Sequence, residues 1–358
     1  MSMDPKTATR MDTPLMEAHR AAGARFAEYN GLTLPEGFSD FQSEYRAAKE
    51  EIAVFDTNWQ AIVFLTGRDR VSYLHAISSQ NIRELAAGGG TLALLLNPQG
   101  HILAEIEVYS LSEKLLVLSH AAFRDRTVQT LKKYIIGSQV QVLDQTDQMG
   151  SLGVEGPRAS ELLAELGLAV PEASEISAAE SAFDGAPCYW VQRPHFGQPG
   201  GQLLIGREKL PAVWQKLVGA VRARGGQPIG MAALNVLRLE AGVPWFPADF
   251  NEAMIPHEAA IETTHISFHK GCYTGQEIVE RVRSRGHVNR KRVELRFSTE
   301  IPPPSGTKLR ANGTEIGYVT SAAFSPSVGA AIGMGYVRRE HFSPGSAVEF
   351  EGGTATVR

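Results

Sequence analysis

Lys270-Gly271-Cys272-Tyr273-Thr274-Gly275-Gln276-Glu277 places a thiol, an ammonium, two glycines and an acid within eight positions. Thr274 followed three residues later by Glu277 reads as a capping box. This predicts a helix that opens near Gly275 and runs through Ile278, Val279 and Val282 on one apolar face. Cys272 then lies just outside the helix N-terminus. The positive end of the helix dipole, with Lys270 close in sequence, favours the thiolate and lowers the thiol pKa from its reference of about 8.5. A reactive Cys272 is the expectation. The alternative is packing, because free cysteine is among the most buried residue types and the flanking glycines suit a tight turn against a strand.

Outward from this stretch, the chain alternates helical and strand-like runs without strict βαβ order, which suggests α+β sandwiches rather than a doubly wound sheet. Thr13-Pro14 predicts a helix through Leu15, Ala18, Ala21 and Ala22. Ser39 or Asp40 caps a second helix reaching Lys49. Ala61–Leu65 reads as a buried strand and Asp69–Ile77 as a helix. Thr91–Leu96 and Ile102–Leu111 read as strands around the turn Asn97-Pro98-Gln99-Gly100, Leu115–Ser119 continues the sheet, and Arg124–Ile136 forms the next helix. Further helices are expected from Gly156-Pro157 to about Leu166, over Leu210–Arg224, and through Leu234, Leu237 and Ala241, where Gly242 stops it. After Arg292 short strands punctuated by Pro302-Pro303-Pro304-Ser305-Gly306 and Ser343-Pro344-Gly345 read as a small β-barrel or sandwich.

At 358 residues the chain exceeds what one hydrophobic core supports, so two or three domains are expected. A composition of 43% hydrophobic and 21% charged residues is that of a soluble globular protein. The net charge of -4 argues against a whole-chain nucleic-acid binder. Met1–Asp12 lacks an apolar signal region, no run approaches the roughly 18 apolar residues of a membrane span, and two distant cysteines suit a reducing compartment. A cytoplasmic location is expected. Cys188, in a strand-like run, reads as core.

The octet is similar to the signature of the folate-binding YgfZ family, relatives of the glycine-cleavage aminomethyltransferase (T-protein, GcvT). The resemblance extends over Val54-Phe55-Asp56, Gly67-Arg68-Asp69-Arg70-Val71, Asn97-Pro98-Gln99-Gly100, Leu237-Arg238-Leu239-Glu240-Ala241-Gly242 and Gly317-Tyr318-Val319-Thr320-Ser321. About the first forty residues and the segment around 160 to 200 match poorly. The resemblance implies a three-domain cloverleaf with folate in its central channel. One α+β domain would span 1–50 and 145–225, an interleaved second 51–144 and 226–288, and a C-terminal β-barrel 289–358.

In the transferase an Asp-Asp pair follows the Asn-x-x-Gly-Gly turn, and its second acid grips the pterin. The matching positions here are Ala104 and Glu105, so Glu105 is the implied folate ligand, unless it simply faces solvent from its strand. The transferase's second folate carboxylate is matched by Gln202 after the loose loop Gln198-Pro199-Gly200-Gly201. The Arg that opens its Arg-Asp-Ser-Leu-Arg helix is replaced by Leu234, with Asn235 next. Arg238 and Glu240 match and point to different helix faces, either as ligand contacts or as structural ion pairs. Asp249 matches a family position of uncertain role. Tyr273, Gln276 and Glu277 complete the implied cofactor contacts.

His265, His269 and Cys272 raise a metal site, but Ile266 and Phe268 before a glycine suggest a strand entering a turn, which scatters them; no metal is expected. Arg281–Arg292 carries six positive charges in twelve residues. It is a solvated face, or a docking point for a polyglutamate tail or an acidic partner, nucleic acid being disfavoured by the absence of stacking aromatics. The favoured reading is a tetrahydrofolate-binding protein that supports iron-sulfur cluster assembly or repair in client enzymes through Cys272, with Lys270 stabilising the thiolate. Since iron-sulfur ligation takes four cysteines or substitutes, any cluster is transient or shared. The alternative is a folate-dependent aminomethyltransferase or demethylase of the T-protein type, and a third is a non-catalytic folate or anion-binding partner protein.

Overall fold

A computed structural model describes residues 11–168 and 176–358. Two sheets lie face to face. One has five strands in the order Gly90–Leu96, Ile102–Ser110, Leu115–His120, Gln60–Thr66, Gln141–Asp144. The other has six, in the order Ser177–Phe183, Ala186–Gln192, Gly200–Gly206, Met149–Glu155, Ala53–Asp56, Gln227–Pro228.

Strand alternation sends successive side chains to opposite faces, and both faces are apolar. Ile62, Phe64, Leu116 and Leu118 meet Val191 and Leu204 between the sheets. Val63, Leu65, Ile106 and Val117 pack outward on the helices Arg70–Ile77 and Arg124–Lys133. On the far side Leu152, Trp190, Leu203 and Ile205 pack against Ala159–Glu165 and Leu210–Arg222. Cys188 is buried in that cluster. The chain is thus a mixed α and β fold, closed at its end by a six-stranded barrel, Arg290–Phe297 to Gly353–Val357.

The barrel shares a core with the rest. Its Ala323, Ile332 and Met334 pack with Leu234 and Leu237 of the helix Met231–Glu240 and with Leu32 and Leu34. That helix ends as expected at Gly242, with φ of +69°. Among the described residues no helix is long and apolar enough to cross a membrane.

Several local expectations are corrected. The helix near Thr13-Pro14 forms at Met16–Ala21, with Leu15 at its N-cap; the Thr13 hydroxyl donates to Asp56 Oδ2 at 2.5 Å while its oxygen accepts the Leu15 N–H at 3.3 Å. The hairpin Arg25–Tyr29 with Leu32–Gly37 was not anticipated, although its turn Asn30-Gly31 has the positive φ values, 51° and 82°, of a type I′ turn. Gln202 lies not in a loop but in mid-strand, Gly200–Gly206. His265 ends a short helix, Glu262–His265, instead of entering from a strand.

The helix of the octet begins at Gln276 and runs to Arg285, with Gly275 at its N-cap and no side-chain cap. The Thr274 and Glu277 capping box does not form. Gly275 has φ of +82°, and Gln276 Oε1 accepts the Tyr273 N–H at 3.3 Å in its place.

Candidate functional site

Glu105 and Glu107 sit two residues apart on Ile102–Ser110 and share one face, while Ala104, Ile106 and Val108 face the helices. The carboxylate face is largely shielded from solvent, the Glu105 side chain being 16% exposed and that of Glu107 6%. It looks into a cavity of about 740 Å³ where every layer converges. Tyr29 enters from the hairpin, Trp59 and Gln60 from a strand start, Asn235 and Arg238 from the helix, and Thr320 with Pro302–Ser305 from the barrel region. Arg193 and His195 enter from the segment after Ala186–Gln192. A cavity of this size suits a ligand of cofactor dimensions.

Arg193 joins the two acids. Its guanidinium is in close contact with Glu107 and lies 3.8 Å from Glu105 Oε1. Glu107 is further held by Gln60 Nε2 at 3.2 Å and by the Tyr109 hydroxyl at 2.6 Å. Glu105 accepts from His265 Nε2 at 3.0 Å, and the other ring nitrogen lies 2.7 Å from Thr264 Oγ1. Burial raises the Glu105 pKa, but the His265 hydrogen bond and the Arg193 charge outweigh it and hold the carboxyl below its usual range. Glu105 therefore keeps its negative charge at neutral pH.

His120 lines the same cavity, and its Nδ1 accepts the Ala122 N–H at 3.2 Å. Burial pulls its pKa down to about 4, against a weaker opposing pull from Glu105. The unfolded chain, with a His pKa near 6.5, takes up this proton first as pH falls. Stability should therefore fall between pH 6.5 and about 4 by the uptake of one proton in the unfolded state. The His120→Asn variant should show a correspondingly shallower slope in urea-unfolding stability against pH.

Arg238 reaches the cavity from a buried ion pair with Asp249, which gives that acid a role the sequence did not supply. Glu240, on another helix face, accepts from Tyr45 at 2.7 Å and Lys49 at 3.0 Å. Gln202 is fully buried, shares the inter-sheet face with Leu204, and has no partner at either amide atom; it is not in the cavity wall.

The octet residues keep together, away from the cavity lining. Cys272 is exposed and free. Lys270 does not turn to it: its ammonium contacts the carbonyl oxygens of His75 and Ser78, at 2.5 Å from the latter, and lies 4.9 Å above the Tyr273 ring. Burial, then the Arg83 charge, lowers the Lys270 pKa to about 8. Tyr273 is buried with Leu94, Leu96, Ile102 and Phe250, and since Leu94 pairs directly with Glu105 this cluster lies on the sheet face that carries Glu105. Gln276 and Glu277 occupy the first turn of the helix, and Glu277 is exposed.

The two turns legible in the sequence dock on each other. A Cβ at Gly275 would lie 2.5 Å from Asn97 O, and one at Gly100 would lie 2.9 Å from Ile278 Cβ. With its φ of +82°, Gly275→Ala should destabilise the protein by about 1–3 kcal/mol, read as a lower urea midpoint at unchanged slope.

Arg193, His195, Glu107, Trp59 and Tyr29 escaped the sequence reading. Only Glu107 carried a signal, its period-2 spacing from Glu105. His265, weighed there as a metal ligand, is instead the hydrogen-bond partner of Glu105. Among the described residues no group of three or more His, Cys, Asp or Glu could hold a metal ion. Three cations of the basic run have acidic partners among the described residues. Arg283 pairs with Glu280, Arg290 with Glu258 and Lys291 with Glu262, while Arg292 donates to Ala259 O.

The chain is similar along nearly its whole length to proteins named aminomethyltransferase. An aminomethyltransferase of Rubrobacter xylanophilus is 28% identical over 335 residues, 92% of this chain and 87% of that one. One of Halothermothrix orenii is 26% identical over 338 residues, 94% of each. The crystal structure of glycine cleavage system aminomethyltransferase T from Bartonella henselae superposes with a TM-score of 0.89 at 25% identity, covering 98% of this chain and 97% of that one. Residues 15–270 match the GCVT N-terminal domain and residues 290–357 the glycine cleavage T-protein C-terminal barrel domain, so the chain belongs to the glycine cleavage T-protein family.

Proposed function

We propose that this protein binds tetrahydrofolate or a one-carbon derivative in the 740 Å³ cavity and transfers a one-carbon unit from an amine donor, as a folate-dependent aminomethyl or methyl transferase. The observation that carries this reading is Glu105, an ionised carboxylate on the cavity wall backed by His265. The lining suits a folate. Trp59 and Trp245, with ring centroids 6.3 Å apart, offer flat apolar faces, and the buried Gln60 Oε1 and His195 Nε2 have no partner. Bound folate would supply the amine that accepts the one-carbon unit. Glu105 supplies fixed negative charge where positive charge builds on the transferred carbon, and a carboxylate held below its usual range stays ionised and accepts hydrogen bonds without donating one.

Ala104, Gln202 and Leu234 depart from the glycine-cleavage pattern, but none of the three lines the cavity, so they do not bear on the choice of donor. The octet supports placing the chain in the YgfZ-like branch and with it the three-domain partition at 1–50 with 145–225, 51–144 with 226–288, and 289–358. A second reading rests on Cys272. Free and exposed, that thiol favours a folate-binding protein acting on iron-sulfur client proteins from its surface.

Calorimetric titration with tetrahydrofolate, combined with turnover of a methylamine or aminomethyl donor, tests the first reading. Wild type should bind saturably and turn over, and Glu105→Gln should bind only. Absence of folate binding overturns both readings. Binding without turnover, together with loss of client-cluster activity in Cys272→Ser cells, favours the second.

A further inference from the structure

His195 is held by contacts separate from those that hold Glu105. Its side chain is 5% exposed and that of its partner Glu155, the last residue of Met149–Glu155, is fully buried. Glu155 Oε1 accepts the His195 backbone N–H at 2.7 Å and lies 2.5 Å from His195 Nδ1, while Oε2 accepts the Phe196 N–H at 3.3 Å. An oxygen already accepting a backbone N–H is an acceptor toward the ring too, so Nδ1 carries the proton. In the neutral ring Nε2 is then a bare lone pair. Nε2 is buried without a partner, and the ring forms part of the cavity wall, edge-on to Trp59 at 5.9 Å between centroids. A buried acceptor left open is costly unless a ligand or reaction uses it.

We propose that His195 is the proton-transfer residue of this cavity, with Glu155 as the positioning residue that fixes its tautomer; this rests on the one-carbon transfer proposed above. Nε2 takes the N–H proton shed by the attacking amine as that amine's lone pair closes the new C–N bond. As that bond forms the old C–N bond breaks, its electron pair goes to the departing nitrogen, and Nε2 returns the proton to that nitrogen. No oxidant or reductant is needed. The division of labour follows from charge. Glu105 is fixed as an anion, whereas a neutral imidazole can both accept and return a proton.

The test uses the full chain with nitrogen-15-labelled histidine, assigned through His195→Ala. Spectra of the free protein should show the proton on Nδ1 and a bare Nε2, and the Nε2 resonance should move when tetrahydrofolate is added. His195→Ala should keep folate affinity, lose roughly 10²–10⁴-fold in kcat, and recover part of it with added imidazole. In Glu155→Gln one backbone N–H loses its acceptor, and the single Nδ1–H form should give way to a mixture. A proton found on Nε2 in the wild type, or wild-type kcat in His195→Ala, overturns the role of His195 alone. A wild type that turns over no donor overturns the transfer itself and this role with it.

Discussion

Glu105→Gln should lose about 10²–10³-fold in one-carbon turnover while holding tetrahydrofolate within a few-fold of wild type. The substitution keeps the shape of the side chain and an amide oxygen for the 3.0 Å contact from His265 Nε2, so the binding surface survives. What it removes is the charge. Arg193 would then face only Glu107, whose carboxylate is already engaged by Gln60 and Tyr109. A low-dielectric pocket magnifies such a loss, because no water replaces the missing anion. Glu105→Asp separates charge from reach: it restores the anion but withdraws it by one methylene from His265. Turnover in Asp well above that in Gln would assign the effect to charge. Equal loss in both would assign it to the hydrogen bond. Unchanged turnover in Glu105→Gln would remove this residue from the chemistry.

The second large effect concerns stability. Asp249→Ala should destabilise the protein by about 3–5 kcal/mol, the cost of leaving a buried cation without its anion. The Arg238 side chain is 1% exposed and that of Asp249 is fully buried. Asp249 also accepts the Trp245 N–H at 3.0 Å and the hydroxyls of Thr320 and Ser321 at 2.6 and 2.7 Å. Burial raises the Asp249 pKa, yet Arg238 and these donors outweigh it and keep the carboxyl below its ordinary value. Its folded pKa is the lower one, so the stabilisation is present above about pH 4 and is lost as pH falls through the folded value. Urea unfolding of Asp249→Ala and Asp249→Asn at pH 7 checks this, Asn losing less because it retains acceptor oxygen. The double change Arg238→Met with Asp249→Leu should recover much of the loss, since an apolar pair of similar volume leaves no buried charge.

The sequence exposes features that depend on short spacing and hides those that depend on distant strands meeting. Asp40 caps Phe41–Glu50 through a 2.9 Å hydrogen bond from Ser43, as its position before an amphipathic run implies. The barrel announces itself through turn residues, and Asn312-Gly313 takes the positive φ values, 49° and 75°, that this dipeptide favours. Glu105 is legible through the family resemblance alone, as the match to the transferase's second acid after the turn Asn97-Pro98-Gln99-Gly100. Arg193 and His195 are not, because nothing near them in sequence shows that Glu107 and Glu155 lie opposite. The pairing of Met149–Glu155 with Gly200–Gly206, which sets that meeting, spans a register of seven pairs about fifty residues apart. The octet misled in one respect. Chemically active types beside a helix start read as one centre, but Lys270 is needed by backbone carbonyls and Cys272 faces outward.

The barrel strand Thr314–Ser325 supplies the two hydroxyls that meet Asp249, and Tyr336 of the neighbouring strand donates to Asp249 O at 3.0 Å. Barrel and preceding segments are thereby written into one cooperative melting unit. A gene shortened before Arg290 would not yield a smaller working version of the protein, because Asp249 would be stripped of its hydroxyl donors and the helix Met231–Glu240 would keep an apolar face without its cover.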